Sequence, residues 1–169
     1  MEDQSTPPAE IERKFLVHEP PSDLERYDRT PIRQGYLAVN PDGTEARVRK
    51  EGRNHFLTVK SGHGESRAEI EVPIADEVFD RLWPLTRGWR VRKVRYRVPH
   101  DGHTVEIDVY RRKLGGLITA EVEFDSEDAA QAFQPPPWLG EEVTGNKRFS
   151  NQNLARDGIP QPEKAPAIY

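Results

Sequence analysis

The chain has 169 residues, no cysteine, and a net charge of only −4 although 32% of its residues are charged. Its length is typical of a single domain that buries its own core. Without cysteine, disulfides and thiolate metal sites are excluded, so a metal would have to be held by carboxylates, histidines or water. Acids and bases interleaved with Val, Ile and Phe indicate an ordered chain, and the acidic total argues against duplex nucleic acid as a partner.

The chain ends differ in composition from the part between them. Residues 1–9 predict a flexible leader and residues 158–169 a flexible Pro-rich tail, on either side of one domain over residues 10–157. The acidic leader has no apolar stretch, which excludes a secretory signal. No apolar run is long enough to cross a membrane. We therefore expect a cytoplasmic protein with no membrane partner.

From Glu10 onward, hydrophobicity alternates with period two, which predicts strands. Turn sequences at 40–43, 62–64 and 100–102 fit hairpins between strands. Helical spacing predicts three helices, at 76–86 with Asp76 as N-cap, at 126–133 and at 146–156. The predicted strands cover about 10–16, 32–39, 45–51, 55–61, 67–74, 91–98, 103–110 and 117–125.

The histidines and tryptophans show no spacing that points to a site. We expect the five histidines at the surface, in or beside turns, and the three tryptophans in packing roles. The residues concerned are His18, His55, His63, His100, His103, Trp83, Trp89 and Trp138.

In most predicted strands one face is apolar and the other is charged. Lys93, Arg95 and Arg97 alternate with Val94, Tyr96 and Val98, for example. Acids concentrate on the first, seventh and eighth strands, and bases on the third, fourth and sixth. An ordinary sheet with its charged face in water is one interpretation. The sorting by sign favours another, a closed barrel whose lumen has an acidic and a basic wall, suited to a polyanion carrying divalent cations.

A series of short motifs runs through the chain. In chain order they are Glu10-Ile11-Glu12-Arg13-Lys14, Arg33-Gln34-Gly35-Tyr36-Leu37, Arg47-x-Arg49, Leu57-Thr58-Val59-Lys60, Arg67-x-Glu69-x-Glu71, Lys93-x-Arg95-Tyr96, Glu106-x-Asp108, Glu121-Val122-Glu123-Phe124, Glu142-Val143-Thr144 and Phe149-Ser150-Asn151-x-x-Leu154-Ala155. Together and in this order they closely resemble the CYTH superfamily, the triphosphate tunnel metalloenzymes, and most of all its short bacterial inorganic tripolyphosphatases. The resemblance covers roughly residues 10–156.

The resemblance implies a mainly β fold, an eight-stranded antiparallel closed barrel with helices packed outside, and Mg²⁺ or Mn²⁺ as cofactor. It implies that Lys93 lies near the scissile phosphoryl group and that the helix carrying Lys147 covers one tunnel mouth. The implied metal ligands are Glu10, Glu12, Asp108, Glu121 and Glu123. The implied substrate ligands are Lys14, Arg47, Arg49, Lys60, Arg67, Arg95 and Lys147.

Some assignments stay open at this stage. Glu106 is either a neighbour of the metal ligands or the partner of a structural ion pair. Glu69 or Glu71 either orients an attacking water or braces Arg67. Phe149 departs from the family pattern, where related sequences often have Tyr, so a hydroxyl contact from that helix is in doubt.

The expected activity is metal-dependent hydrolysis of inorganic tripolyphosphate to pyrophosphate and phosphate. The alternatives are a nucleoside or thiamine triphosphatase, a non-catalytic module that binds polyphosphate or nucleotide, and a binder of single-stranded nucleic acid. The charged face has no aromatic residues to cradle or stack a base, which disfavours nucleotide substrates and nucleic acid. Its carboxylates disfavour pure anion binding. The sequence leaves a homodimer open.

Overall fold

The computed structural model describes residues 11–61 and 68–161. Glu10, Arg67, the predicted turn at 62–64, the leader 1–9 and most of the predicted tail lie outside this range, so the predictions made for them stand as predictions. No helix in the described ranges combines the length and the apolar character needed to span a membrane.

Within the described residues, eight strands form one antiparallel sheet in the order β1-β8-β7-β6-β2-β3-β4-β5. This confirms the mainly β, eight-stranded antiparallel prediction. Glycines with positive φ at the predicted turns, Gly43 at 88° and Gly102 at 76°, close the β2–β3 and β6–β7 hairpins. The strands are β1 (Ile11–Leu16), β2 (Asp28–Val39), β3 (Glu45–Glu51), β4 (Asn54–Ser61), β5 (Ala68–Pro73), β6 (Arg90–His100), β7 (His103–Tyr110) and β8 (Ile118–Phe124).

The sheet differs from the predicted closed barrel at its two edges, because β1 and β5 do not pair within the described residues. The edge of β1 that does not pair with β8 is occupied by residues 140–144. Leu16 N donates to Glu141 O at 2.8 Å, and Val143 N donates to Lys14 O at 2.8 Å. Gly140 is required for this approach, since a Cβ there would lie 2.8 Å from Leu16 O. The edge that closure would use is therefore already filled.

The pairing register separates the strand residues into two faces. We call the face that carries Lys93, Arg95 and Asp108 the inner face, and the opposite one the outer face. On the inner face, Arg95 lies opposite Asp108 and Lys14 opposite Glu121. The outer face is apolar around a cluster that includes Phe15, Tyr96, Val98, Val105, Ile107, Val122 and Phe124. Helix α2 (Glu127–Ala132), predicted at 126–133, packs there. Its N-cap is Ser126, whose Oγ accepts from Ala129 N at 3.1 Å.

Helix α1 (Asp76–Leu82) begins as predicted, but its N-cap is Ala75 and not Asp76. The Asp76 carboxylate instead lies 3.0 Å from His55 Nδ1. His55 was predicted at the surface, and that prediction is wrong: the residue is 5% exposed and its ring centroid lies 5.1 Å from that of Phe79. A carboxylate acceptor and an aromatic neighbour make its burial tolerable.

The third predicted helix is two elements. A 3₁₀ turn covers Lys147–Phe149, and α3 covers Asn151–Asp157. Ser150 between them is extended and caps α3, because its Oγ accepts from Asn153 N at 3.2 Å. Helix α3 and Phe149 pack in a cluster with Tyr36, Val91 and Tyr110, which lie on the inner face. Unlike the other helices, α3 therefore covers one end of the inner face.

Candidate active site

The centre of the inner face is a buried ion-pair network on β6 and β7. Lys93 Nζ donates to Asp108 Oδ2 at 2.7 Å, and Arg95 donates to both Asp108 oxygens at 2.8 and 3.0 Å. The side chains of Lys93 and Asp108 are 1% and 2% exposed. Burial lowers the pKa of Lys93 to about 8, against the opposing effect of Asp108. The two cations overcome the effect of burial on Asp108 and hold its pKa well below the usual range.

Helix α3 is tied to this network by Asn151. Its Oδ1 accepts from Lys93 Nζ at 3.3 Å and from Tyr110 OH at 3.0 Å. Lys93 therefore has two fixed acceptors on two different elements, and its ammonium group is held in one place on the inner face.

The basic side of the inner face lies on β3. Arg47 and Arg49 are side by side in period two. Arg47 Nη1 lies 3.5 Å from Glu45 Oε1, and Arg49 Nε lies 3.5 Å from Glu51 Oε2. Each has a buried Nε without a hydrogen-bond partner among the described residues. Burial lowers the pKa of Arg49, opposed by Glu51 and reinforced by Arg95 and Arg47. Unsatisfied buried N–H donors are rare in native proteins, and an anionic oxygen is the acceptor that these two would match.

The acidic side of the inner face lies on β1, β7 and β8. Glu12 pairs in register with Glu123, and Glu106 with Glu121. A cavity of about 380 Å³ lies at the end of these strands beside the β6–β7 turn, where Glu106 and Glu123 line it together with outer-face residues such as Ile11 and Phe124. Like charges directly opposite each other destabilise a sheet, and oxygen donors of this kind suit Mg²⁺ or Mn²⁺. Across residues 11–61 and 68–161 no three carboxylates or histidines are grouped tightly enough to hold a metal as they stand. Glu10, a predicted ligand, lies outside that range.

The structure places the other predicted residues as follows. Lys14 Nζ lies 3.2 Å from Glu121 and donates to Phe149 O at 2.7 Å, which joins β1 to the 3₁₀ turn. Lys60 lies 3.8 Å from Glu69, and Thr58 Oγ1 donates to Glu71 at 3.1 Å. Lys147 is exposed at the start of that turn.

Two predicted roles meet competing contacts in the structure. Asp108, predicted as a metal ligand, has both oxygens engaged by Lys93 and Arg95. Glu106 lies 3.1 Å from Arg95 Nη1, which favours the ion-pair alternative for it.

Four buried or bridging inner-face residues were not predicted as site residues: Gln34, Tyr36, Glu45 and Asn151. Gln34 Nε2 donates to Tyr36 OH at 2.7 Å, and both side chains are 2% exposed. Burial raises the pKa of Tyr36 to about 12, although Arg47 opposes it. Period two on β2 already placed Gln34 and Tyr36 on one face, so the signal was present for these two. Nothing in the sequence indicated the turn of Asn151 toward Lys93.

The CYTH domain family matches residues 8–157 of this chain. The chain belongs to the CYTH family. It is 51% identical over 148 residues to an inorganic triphosphatase of Nitrosomonas europaea, covering 86% of this chain and 96% of the relative. It is 34% identical over 153 residues to an inorganic triphosphatase of Acetivibrio thermocellus, covering 88% and 94%. The crystal structure of an inorganic triphosphatase superposes with a TM-score of 0.74 at 48% identity, covering 88% and 95%.

Proposed function

We propose that this CYTH protein is a divalent-metal-dependent hydrolase of inorganic tripolyphosphate. The observation that carries the proposal is the pair of buried Nε donors of Arg47 and Arg49, which form no hydrogen bond with the described residues, on a face that also holds the Lys93–Asp108–Arg95 network. A chain of phosphates carries many anionic oxygens, and each can accept charge-assisted hydrogen bonds from arginine and lysine. Two relatives named inorganic triphosphatase, at 51% and 34% identity, support the same substrate class.

The chain's own residues have separable roles in this proposal. Arg47, Arg49 and Arg95 bind phosphate oxygens and fix the substrate on the basic side. Lys93, held by Asp108 and Asn151, keeps an ammonium group beside the phosphoryl group that is transferred. Asp108 is a positioning residue, because it fixes Lys93 and Arg95 and does not itself face the substrate. Phosphoryl transfer requires mainly such positioning and charge neutralisation.

The acidic side has the oxygen donors that suit a divalent metal. Glu12 and Glu123, which are paired in register, would hold Mg²⁺ or Mn²⁺ together with Glu121 and Glu10. A bound cation would neutralise charge on the substrate oxygens and activate the attacking water.

A hydrolysis screen tests the proposal. Purified protein is incubated with tripolyphosphate, pyrophosphate, ATP or thiamine triphosphate, with Mg²⁺, with Mn²⁺ or with a chelator, and phosphate release is measured. We expect metal-dependent release from tripolyphosphate above all. Binding of tripolyphosphate without release would make the protein a non-catalytic module, and equal release with the chelator would contradict the metal requirement.

A further inference from the structure

A second concentration of positive charge lies on the other side of the sheet from the candidate active site. Arg90 and Arg92 alternate along β6 with Val91 and Lys93, so their side chains lie on the outer face. They border a cavity of about 310 Å³ near the end of the sheet. We call this cavity the basic pocket. It is lined by Gly88, Arg90, Arg92, Arg111, Arg112 and Lys113.

The basic pocket has no carboxylate among its lining residues. In the part of the chain that the structure describes, none of its five cations forms a salt bridge. Asp157 lies within electrostatic reach of Lys113, but its oxygens already accept from Arg156 at 2.9 and 3.0 Å. Burial and neighbouring cations lower the pKa of both Arg90 and Arg92. The pocket therefore concentrates positive charge that the described protein does not neutralise.

Part of this charge is held in place. Arg90 Nη2 donates to Trp83 O at 2.6 Å and its Nε donates to Thr86 Oγ1 at 2.9 Å. Its guanidinium carbon lies 4.3 Å from the Trp83 ring centroid. Arg111 N donates to Arg92 O at 2.8 Å, which fixes the segment that carries Arg111 and Arg112 beside β6. A preorganised cluster of cations binds an anion at a lower entropic cost than mobile side chains do.

From these observations we infer that the basic pocket is a second anion site, separate from the inner face, which binds a soluble oligophosphate of two or more linked phosphates. Several guanidinium groups around one concavity match an anion that carries several charges. Those of Arg92, Arg111 and Arg112 can donate forked hydrogen bonds to phosphate oxygens, while Arg90, whose Nε and Nη2 already donate within the protein, contributes its charge. The volume lies at the small end of the range for ligand pockets, about 300–1,000 Å³. The ring of Trp83 is stacked against Phe79 at 5.4 Å and covered by Arg90, which leaves no free aromatic face for a nucleobase.

Nuclear magnetic resonance of the ¹⁵N-labelled full chain tests the inference without measuring hydrolysis. Tripolyphosphate is titrated in buffer with a chelator, and the Trp83 indole N–H and the Gly88 amide report on the basic pocket. The Thr58 amide reports on the inner face. We expect the Trp83 and Gly88 resonances to shift together, with a titration midpoint different from that of Thr58. With orthophosphate in place of tripolyphosphate, the midpoint for Trp83 and Gly88 should lie at an at least tenfold higher ligand concentration.

Matched variants assign the shifts. In Arg92→Gln/Arg111→Gln, the midpoint for Trp83 and Gly88 should rise at least tenfold while that for Thr58 stays unchanged. Arg112→Gln is a second, smaller change that should weaken the same signals. Arg26→Gln/Arg53→Gln removes the same charge from two exposed arginines elsewhere and should leave all midpoints as in the wild type.

Two outcomes would overturn the inference. One is a Trp83 and Gly88 midpoint that is the same in the pocket variant as in the charge-matched control. The other combines two results: tripolyphosphate shifts neither Trp83 nor Gly88, and the wild type sediments with vesicles of phosphatidylcholine and phosphatidylglycerol while Arg92→Gln/Arg111→Gln does not. The pocket would then bind a lipid headgroup. Because neither assay measures turnover, such a failure leaves the proposed function untouched.

Discussion

Asp108 is almost fully buried and accepts from two cations, Lys93 and Arg95, and this makes it the residue on which the inner face depends most. Removing one partner of a buried ion pair leaves an uncompensated charge, which typically costs about 3–5 kcal/mol. We expect Asp108→Asn to lower the free energy of unfolding by about that amount, measured by urea titration. Glu106→Gln is the control: Glu106 is 23% exposed and contacts Arg95 from the rim, so its loss should cost about 1 kcal/mol or less. Equal effects of the two variants would contradict the central role of Asp108.

Arg49 was predicted as a substrate ligand, and its Nε is buried and forms no hydrogen bond with the described residues. Lysine cannot donate the forked pair of hydrogen bonds that a phosphate accepts from arginine. Arg49→Lys should therefore lower kcat/KM for tripolyphosphate by roughly tenfold or more, equivalent to about 1.4 kcal/mol. Arg53→Lys, an exposed residue in the β3–β4 turn, should change nothing. Wild-type kinetics in Arg49→Lys would mean that this guanidinium does not contact the substrate.

At the scale of elements, Arg13 holds the segment at 140–144 along β1. Its guanidinium lies 2.5 Å from Glu142 and donates to Ala130 O and Phe133 O at 2.9 and 3.2 Å. One side chain thus joins β1, the end of α2 and the segment that fills the β1 edge. We expect Arg13→Gln to cost about 1–3 kcal/mol of stability, as the loss of charge-assisted hydrogen bonds with buried acceptors does.

The same contact has a defined pH dependence. The hydrogen bond from Arg13 lowers the pKa of Glu142, so the folded state favours the carboxylate more than the unfolded state does. A carboxyl group of this kind contributes its full stability above the unfolded value of about 4.3 and loses it as the pH falls through the folded value. The difference in unfolding free energy between wild type and Glu142→Gln should be largest near pH 7 and shrink below about pH 4. In the exposed neighbour, Glu141→Gln should show no such trend.

Sequence periodicity was sufficient to predict the strands and to show that acids and bases lie on different strands, because both depend on the local alternation of residue types. It was insufficient where a contact distant in sequence decides the structure. The edge of β1 is filled by residues 140–144, and His55 on β4 is buried against α1, the helix that follows the next strand. Ser150 breaks the third helix because its hydroxyl caps the next turn, a choice that helical spacing alone does not reveal.

At the scale of the whole molecule, the acidic side and the basic side of the inner face lie on different strands. The carboxylates of the acidic side should affect the stability of the fold. Glu12 and Glu123 lie opposite each other in register, so without a cation their repulsion should lower stability. In a chelator, Glu12→Gln and Glu123→Gln should have a melting temperature equal to or above that of wild type. Mg²⁺ or Mn²⁺ should raise the melting temperature of wild type more than that of either variant, and turnover should be lost in both. An identical metal-induced shift in all three proteins would remove these residues from the metal site.

Substrate choice follows from how far the basic side extends. The basic side extends over two strands, β3 with Arg47 and Arg49 and β6 with Arg95, which are separated by β2. Three linked phosphates can therefore contact all three arginines. A shorter phosphate chain loses some of these charge-assisted hydrogen bonds. Pyrophosphate should therefore be a poor substrate. ATP carries the same three phosphates, but the inner face offers little aromatic surface for its adenine. Tyr36 and Tyr110 are 2% and 1% exposed, and Phe56, which lies opposite Arg49, is half-buried.

Binding energy that the adenosine cannot gain cannot be converted into rate, so tripolyphosphate should be cleaved considerably faster than ATP. The measurement is kcat/KM for both compounds at one fixed metal concentration, by phosphate release. Arg53→Lys again serves as the control, since it should leave the ratio of the two values unchanged. A higher value for ATP or for thiamine triphosphate would overturn the assignment of tripolyphosphate, while the metal-dependent triphosphatase chemistry of the inner face would still hold.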